Sequence, residues 1–215
     1  MDETADLGEQ TCGLGICAKT VPNCVDGKLV DCEPLEGAED DDFPDDQFLD
    51  SNCDGIDGEI EGSVFVDEVN GNQNNAGTME EPLKSLQSGI ELAAQQGKRD
   101  VYVSTGFYSE SVELKNGVSV YGLYSSDGGW SRASGNTVTL SGGTTAVFAQ
   151  GIQAQTTLEG LVIKSADADQ PGASSFGIRA KDSPDLILRR LDIFAGKGAQ
   201  GEEGDPGAPG LNTEY

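Results

Sequence analysis

Twelve consecutive residues, Asp50-Ser51-Asn52-Cys53-Asp54-Gly55-Ile56-Asp57-Gly58-Glu59-Ile60-Glu61, put oxygen-bearing groups where a divalent cation can be caged. They fill the pattern D-x-[DN]-x-[DN]-G-x5-E without a gap. Asp50, Asn52 and Asp54 supply hard oxygens at positions 1, 3 and 5, and Gly55 permits the sharp turn that lets them converge. Ile56 then offers its carbonyl, Asp57 can join the shell, and Glu61 closes it with two oxygens. A flexible, oxygen-only cage suits Ca2+ better than Mg2+. Pro44 upstream, with Gly58 and Gly62 downstream, disfavours the flanking helices of a sensor, so the expectation is a structural calcium clamp. Asp45 or Asp46 would neutralise a second, looser ion. The competing reading is a run of solvated carboxylates, since Glu39–Asp50 already holds seven acidic groups. The placed glycine, the closing glutamate and the apolar Ile56 argue against chance.

The rest of the composition limits what other chemistry is available. The chain of 215 residues has 13 Lys plus Arg, 38 Asp plus Glu and no histidine, a formal charge of −25. Such a surface repels phosphate backbones and anionic lipid, which argues against nucleic-acid binding and membrane docking. Without imidazole there is no Ser/His/Asp relay and no His-ligated zinc or copper. No run approaches the roughly 18 apolar residues of a membrane-spanning helix, so no membrane insertion is expected. The charge is unevenly divided: residues 1–62 carry 19 acidic and two basic groups, residues 63–215 carry 19 and 11. A boundary near Gly62 follows.

All five cysteines precede it. In a segment with few large apolar side chains they read as disulfide staples, which persist only in oxidising surroundings. The expected location is extracytoplasmic: secreted, or on a bacterial cell surface. Because Met1-Asp-Glu-Thr-Ala-Asp has neither the basic nor the apolar part of a signal peptide, export would need a leader outside this sequence. Asp26-Gly27 suits a type I′ hairpin turn, setting Cys24 opposite Leu29 and Cys32 opposite Val21. The thiols of Cys24 and Cys32 then face opposite sides, and each reaches back to Cys12 or Cys17, leaving Cys53 odd. The alternative, a thiolate zinc cluster, lacks a second short knuckle.

Cys12-Gly-Leu-Gly-Ile-Cys17, the hairpin cysteines and Asn52-Cys-Asp-Gly-Ile-Asp-Gly58 resemble the metal-binding, MopE-type cysteine and CDGxD repeats of secreted bacterial surface proteins. The likeness covers about 50 residues. Where such proteins often carry a doubled CDG unit, this chain has one. The copper site of that family does not carry over, since no histidine is present.

After Gly62 the pattern changes to short β-branched runs between Gly, Asn and Ser. Ser63–Val66 reads as a strand, and Asp67–Thr78 as a polar loop. One helix follows, with Pro82 in its first turn, Leu83, Leu86, Ile90, Ala93 and Ala94 on one face, and Gly97 at its end. Apolar pairs then recur: Val101/Val103, Val118/Val120, Val138/Leu140, Leu161/Ile163 and Leu191/Ile193. Each pair faces one side of a strand. Leu158-x-x-Leu161-x-Ile163 and Leu188-x-x-Leu191-x-Ile193 share one spacing. Coils of about 20 residues with lengthening loops account for both, and point to an all-β, right-handed parallel β-helix rather than a β-sandwich.

Phe65-Val-Asp67, Asn70-Gly-Asn72, Gly77-Thr78, Pro82–Leu86, Ile90, Asp100–Val103, Gly106-Phe-Tyr108 and Gly117–Gly122 resemble the opening segment of pectate-lyase-like β-helix proteins. The resemblance implies an N-terminal capping α-helix over the first rung. The organisation expected is thus a disulfide-rich calcium-loop module (1–62), the β-helix (63–195) and a Gly-rich, collagen-like tail (196–215) in which glycine recurs every third residue from Gly198 to Gly210. Catalysis finds thin support. Asp182-Ser-Pro-Asp185 reads as a turn, and Arg179, Arg189 and Arg190 as solvent-facing strand positions beside Asp192. The expected role is non-enzymatic, structural or adhesive, with calcium and other copies or other surface proteins, met through an open C-terminal rung, as partners. The alternative is a carbohydrate-binding or polysaccharide-degrading protein that meets glycans at Tyr121, Tyr124 and Trp130.

Overall fold

A computed structural model describes residues 8–37, 41–204 and 207. Most of the collagen-like stretch past Gly204, like residues 38–40 of the acidic run, lies outside the described residues. The chain begins with two small antiparallel pairs. β1 (Glu9–Cys12) lies against β2 (Lys19–Pro22), and β3 (Cys24–Val25) turns back into β4 (Lys28–Leu29). Asp26 and Gly27 both have positive φ, as a type I′ turn requires, and Cys24 sits opposite Leu29. The hairpin ends too soon to set Cys32 against Val21, whose partner is Gln10 of β1.

The disulfides correct the expected cysteine pairing. Cys12 bonds Cys32, and Cys17 bonds Cys53, so the free thiol is that of Cys24 and not Cys53. The reason lies in the acidic loop. The amide of Ile16 donates to the carbonyl of Asp50 at 3.1 Å, which lays the loop beside Cys17 and brings Cys53 to it.

The main body is built from parallel strands in three sheets. β5 (Ser63–Val66) is followed by the helix α1 (Leu86–Gln96) and then by β6 (Asp100–Ser104), β7 (Gly106–Tyr108) and β8 (Val112–Leu114). β9 (Ser119–Ser125) follows, with the short β10 (Ser131–Arg132) folded antiparallel onto its end. Next come β11 (Val138–Gly142), β12 (Thr145–Gln150), β13 (Thr156–Glu159), β14 (Val162–Ser165), β15 (Phe176–Lys181), β16 (Leu186–Arg189) and β17 (Asp192–Phe194). The first sheet has the order β5-β6-β9-β13-β16, the second β7-β11-β14-β17 and the third β8-β12-β15. Three times the chain visits the first, second and third sheet in the same sequence.

Register explains why these strands stack. Val64, Val101, Val120, Leu158 and Leu188 are successive Cα partners in the first sheet. Tyr108, Leu140, Ile163 and Ile193 run through the second, and Val112, Val147 and Ile178 through the third. All but the C-terminal members of these columns are buried in one core. As far as Leu161/Ile163 the apolar pairs therefore share a core, but they are divided between two sheets: Val101/Val103 and Val120 belong to the first, Leu140, Ile163 and the exposed Ile193 to the second. The repeated L-x-x-L-x-I spans the bend from first to second sheet, because Leu158 pairs with Leu188 and Ile163 with Ile193.

The helix starts later than its periodicity suggests. Ser85 is its N-cap, accepting from the amide of Ser88, while Leu83 lies before the helix in a parallel bridge with Val66. Leu86, Ile90 and Ala93 are buried, whereas Ala94 is exposed. Glu110 completes the N-terminus by accepting from the amides of Leu86 at 2.8 Å and Gln87 at 3.1 Å. The helix lies so close to β5 and β6 that a Cβ on Gly89 would stand 2.4 Å from a methyl of Val66.

Candidate functional site

Side chains alternate across the first sheet, so the residues between its aliphatic column form a second column on the other face. Tyr102, Tyr121, Glu159 and Arg189 follow Phe65 there in register. The segment from Asp41 to Glu61 lies over this column. Ile56 is buried with Phe65, Tyr102, Tyr121, Tyr124 and Trp130, with Phe65 edge-on to Trp130 at 4.7 Å. Covered on both sides, β5 and β6 are buried along their whole length, with even Asp100 and Ser63 taken from water.

Charge holds the cover in place. Arg132, with a wholly buried side chain, donates to the carboxylates of Asp57 at 2.9 Å and Glu159 at 2.7 Å, and to the carbonyls of Asp45 and Gly122. Four acceptors thus share one guanidinium fork. Arg189 and Arg190 stand 3.4 and 3.5 Å from Glu159 and also bond Asp46 of the cover. The guanidinium groups of Arg132 and Arg190 both approach the ring of Phe48, at 5.2 and 5.3 Å from its centre. Burial lifts the Asp57 carboxyl to about 6 although Arg132 opposes the rise. Asp100, beside Arg99 at 2.6 Å, is lifted to about 6 by the same cause. Sequence reasoning missed Arg132, Glu159 and Glu110. An arginine in the polar stretch Ser131–Ser134 carries no periodic signal.

The twelve-residue loop forms the edge of this cover. Asp50 accepts from the amide of Gly55, Asn52 from that of Asp54, and Asp54 from those of Ile56 and Ile60. Asp42 clasps the loop from outside, accepting from the amides of Ser51 and Gly58. Gly58, at φ 125°, presses on Tyr102, where a Cβ would meet the hydroxyl at 2.4 Å. That hydroxyl accepts from the amide of Glu59 at 2.8 Å. Of the residues expected to ligate calcium, Asp50, Asn52 and Asp54 point into the loop. Asp57 is turned toward Arg132, and Glu61 is exposed with its carbonyl bound by Lys98. Ile56 packs its side chain into the aromatic cluster. Among the described residues no three Asp, Glu or Cys side chains converge as a ready-made metal group.

Oxygen donors nevertheless fit a hard cation, and one of them lacks a partner. Asp50 is 8% exposed and its Oδ1 is buried without a hydrogen bond. Burial, the larger cause, and the neighbouring charge of Asp54 push its carboxyl up, against the pull of the Gly55, Cys53 and Asp54 amides. A bound cation would remove both penalties.

The aromatic trio is not open to a sugar. Trp130 is 3% exposed, packed against Phe65 with Nε1 donating to the carbonyl of Met79, and Tyr121 and Tyr124 are buried in the same cluster. Asp182 occupies a turn at φ 50°. A separate groove of about 510 Å3 lies between α1 and the third sheet, lined by Gln87, Glu91, Glu113, Phe148 and Arg179 among others. Among the described residues no helix is long and apolar enough to cross a membrane. Comparison with family models, curated proteins and solved structures finds no match.

Proposed function

We propose that this chain is a structural or adhesive module, secreted or displayed on a bacterial cell surface, and that its three sheets form a right-handed parallel β-helix. Residues 1–62 act as a collar on the first sheet, held by two disulfides and clamped by calcium. Two disulfides suit an oxidising compartment. Ligation falls to the oxygens of the 50–61 loop, and the orphaned Oδ1 of Asp50 supports it. The role is non-enzymatic. In support, the buried carboxylates of Asp57, Glu159 and Asp100 are each paired with arginine in structural contacts.

The observation that carries this reading is the last coil. Leu188 and Ile193 continue the two aliphatic columns, yet they are each 46% exposed, whereas Leu158 and Ile163 beneath them are fully buried. Phe194 stands exposed beside them. At the opposite end, α1 and the bridge from Leu83 to Val66 cover β5. This apolar edge fits a second copy of the chain, or another surface protein, laid against β16 and β17. Sedimentation tests this: the chain is expected to dimerise with rising concentration, and Leu188→Asp to remain monomeric. A parent chain that sediments as a monomer throughout defeats the proposal. The groove beside Phe148 and Arg179 favours glycan binding as a second reading. Retention on immobilised glycans, lost in Phe148→Ala, would support it over the first.

A further inference from the structure

β6, β7 and β8 make one circuit of the three sheets, β9, β11 and β12 a second, and β13, β14 and β15 a third. β16 and β17 begin a fourth, which no described strand completes. β15 is therefore paired with β12 along one edge and with no described strand along the other. The chain nevertheless follows the course of the third circuit as far as the approach to β15. The amides of Gly196 and Lys197 donate to the side chains of Ser165 and Asp167. The amide of Ala168 donates to the carbonyl of Lys197 at 2.8 Å, and that of Gly172 to the carbonyl of Gln200 at 2.7 Å. A Cβ on Gly196 would stand 2.4 Å from the backbone of Ala166, so the two layers touch here. Past Gln200, the described residues Gly201–Gly204 are exposed and form no strand.

The open edge has a defined chemistry, because side chains along a strand alternate between its faces. On the inner face Val112, Val147 and Ile178 are successive partners, as are Leu114, Ala149 and Ala180. Ile178 packs against the main core but is only partly buried, and Ala180 is exposed where Ala149 beneath it is buried. On the outer face Arg179 follows Glu113 and Phe148, and Lys181 follows Gln150. Both cations are exposed, and among the described residues neither meets a carboxylate; Arg179 stands over the ring of Phe176 instead. The other four arginines of the chain, Arg99, Arg132, Arg189 and Arg190, each pair with an acid. A strand laid beside β15 thus needs apolar side chains opposite Ile178 and Ala180, and carboxylates opposite Arg179 and Lys181. We infer that the open edge of β15 accepts such a strand: an extended, acidic segment of a partner protein that alternates apolar residues with Asp or Glu. This rests on the open last coil proposed above, and names the partner its third sheet takes.

Three contributions act together in such a pairing. Backbone groups on the free edge of a strand bond an added strand. An apolar side chain opposite Ile178 lengthens the inner column. Unlike charges on directly opposed residues stabilise the pair, and like charges there oppose it. The field of the whole molecule works in the other direction, since a charge of −25 repels an acidic segment. That repulsion is screened beyond about 8 Å at physiological salt, whereas charges on neighbouring strands, about 4.8 Å apart, still attract. Preference for an acidic strand is therefore a property of this edge alone. Non-specific association with so acidic a protein would select a basic strand.

The test uses the full, oxidised chain at about 0.15 M salt and two labelled peptides of equal length, one alternating valine with glutamate and one valine with lysine, followed by fluorescence anisotropy. The glutamate peptide is expected to bind about tenfold or more tightly than the lysine peptide, and to slow hydrogen exchange at the β15 amides that face away from β12. Arg179→Glu with Lys181→Glu, at two exposed positions, should invert the preference, and that inversion also shows the variant to be folded. Tighter binding of the lysine peptide by the parent, or a preference that the double variant leaves unchanged, overturns the inference. So does protection of those amides before any peptide is added: in dilute protein it means that the chain's own residues fill the edge, and protection that grows with protein concentration means that a second copy does. Sedimentation judges the earlier reading separately. A chain that self-associates but ignores both peptides keeps that reading and loses this one.

Discussion

Replacing Arg132 by methionine keeps much of the side chain's length and removes its charge. Four hydrogen bonds vanish, and two carboxylates with side chains 1% and 0% exposed lose their common partner. Breaking one side of such a buried pair costs about 3–5 kcal/mol. For a chain of this size that lowers the melting temperature by roughly 6–20 °C, at about 2–4 °C per kcal/mol. The two acids are not left equally badly off. Glu159 still has Arg189 and Arg190 within 3.5 Å, whereas Asp57 keeps only the amide of Asp45. Adding Asp57→Asn to Arg132→Met should therefore recover much of the loss, and adding Glu159→Gln much less. Acid gives an independent handle. The Asp57 carboxyl is already raised to about 6 in the folded state, so the proton it binds stabilises the fold fully below its ordinary value of 3.8. That contribution disappears as the pH climbs through 6. Without Arg132 the carboxyl moves higher still, so the deficit of the variant grows between pH 5 and pH 8. The assay is thermal unfolding in chelator, read through the fluorescence of Trp130, the single tryptophan, which packs between cover and sheet. A variant that melts with the parent, or whose deficit is the same at both pH values, would refute the reasoning.

Further outcomes are specific. Gly89→Ala adds a methyl 2.4 Å from Val66, and the overpacking, about 1–3 kcal/mol, outweighs the roughly 1 kcal/mol gained in helix propensity, so chemical denaturation should show a net loss. Thiol titration of the native chain should find one reactive group, lost in Cys24→Ser with no change in melting temperature. Cys53→Ser opens a loop whose ends are 36 residues apart and should cost about 4 kcal/mol on the chain-entropy argument, measurable by denaturant midpoint.

What the sequence announces depends on how local the cause is. Ser63–Val66 is a strand at its expected bounds, and Asp26-Gly27 makes its expected turn, because alternation and positive φ act within a few residues. Gly97 ends the helix for the same reason. The helix starts one turn later than its periodicity suggests, and one of the groups that fixes that start, Glu110, is 24 residues away from Leu86. Apolar pairs declare that a strand has an inward face, but not which sheet holds it. Sheet membership follows from the bends between strands, and Leu158 and Ile163 differ in it although five residues apart. The cysteine pairing is set by where the acidic loop comes to rest, which no spacing records. Arg132 and Glu159 are invisible for a related reason: their burial is created by residues 45–57, brought over them from a distant part of the chain.

The parallel ladders carry a mechanical corollary. In the β-helix proposed above, the backbone hydrogen bonds that join successive strands of the first sheet run from β5 to β16, so tension applied between these two strands loads them in series. The weakest interface yields first, and the layer from Leu158 to Leu188 would pay out about 100 Å of slack for its 30 residues. Pulled this way, the molecule lengthens in steps and dissipates work at each one, a useful property in anything that tethers one object to another.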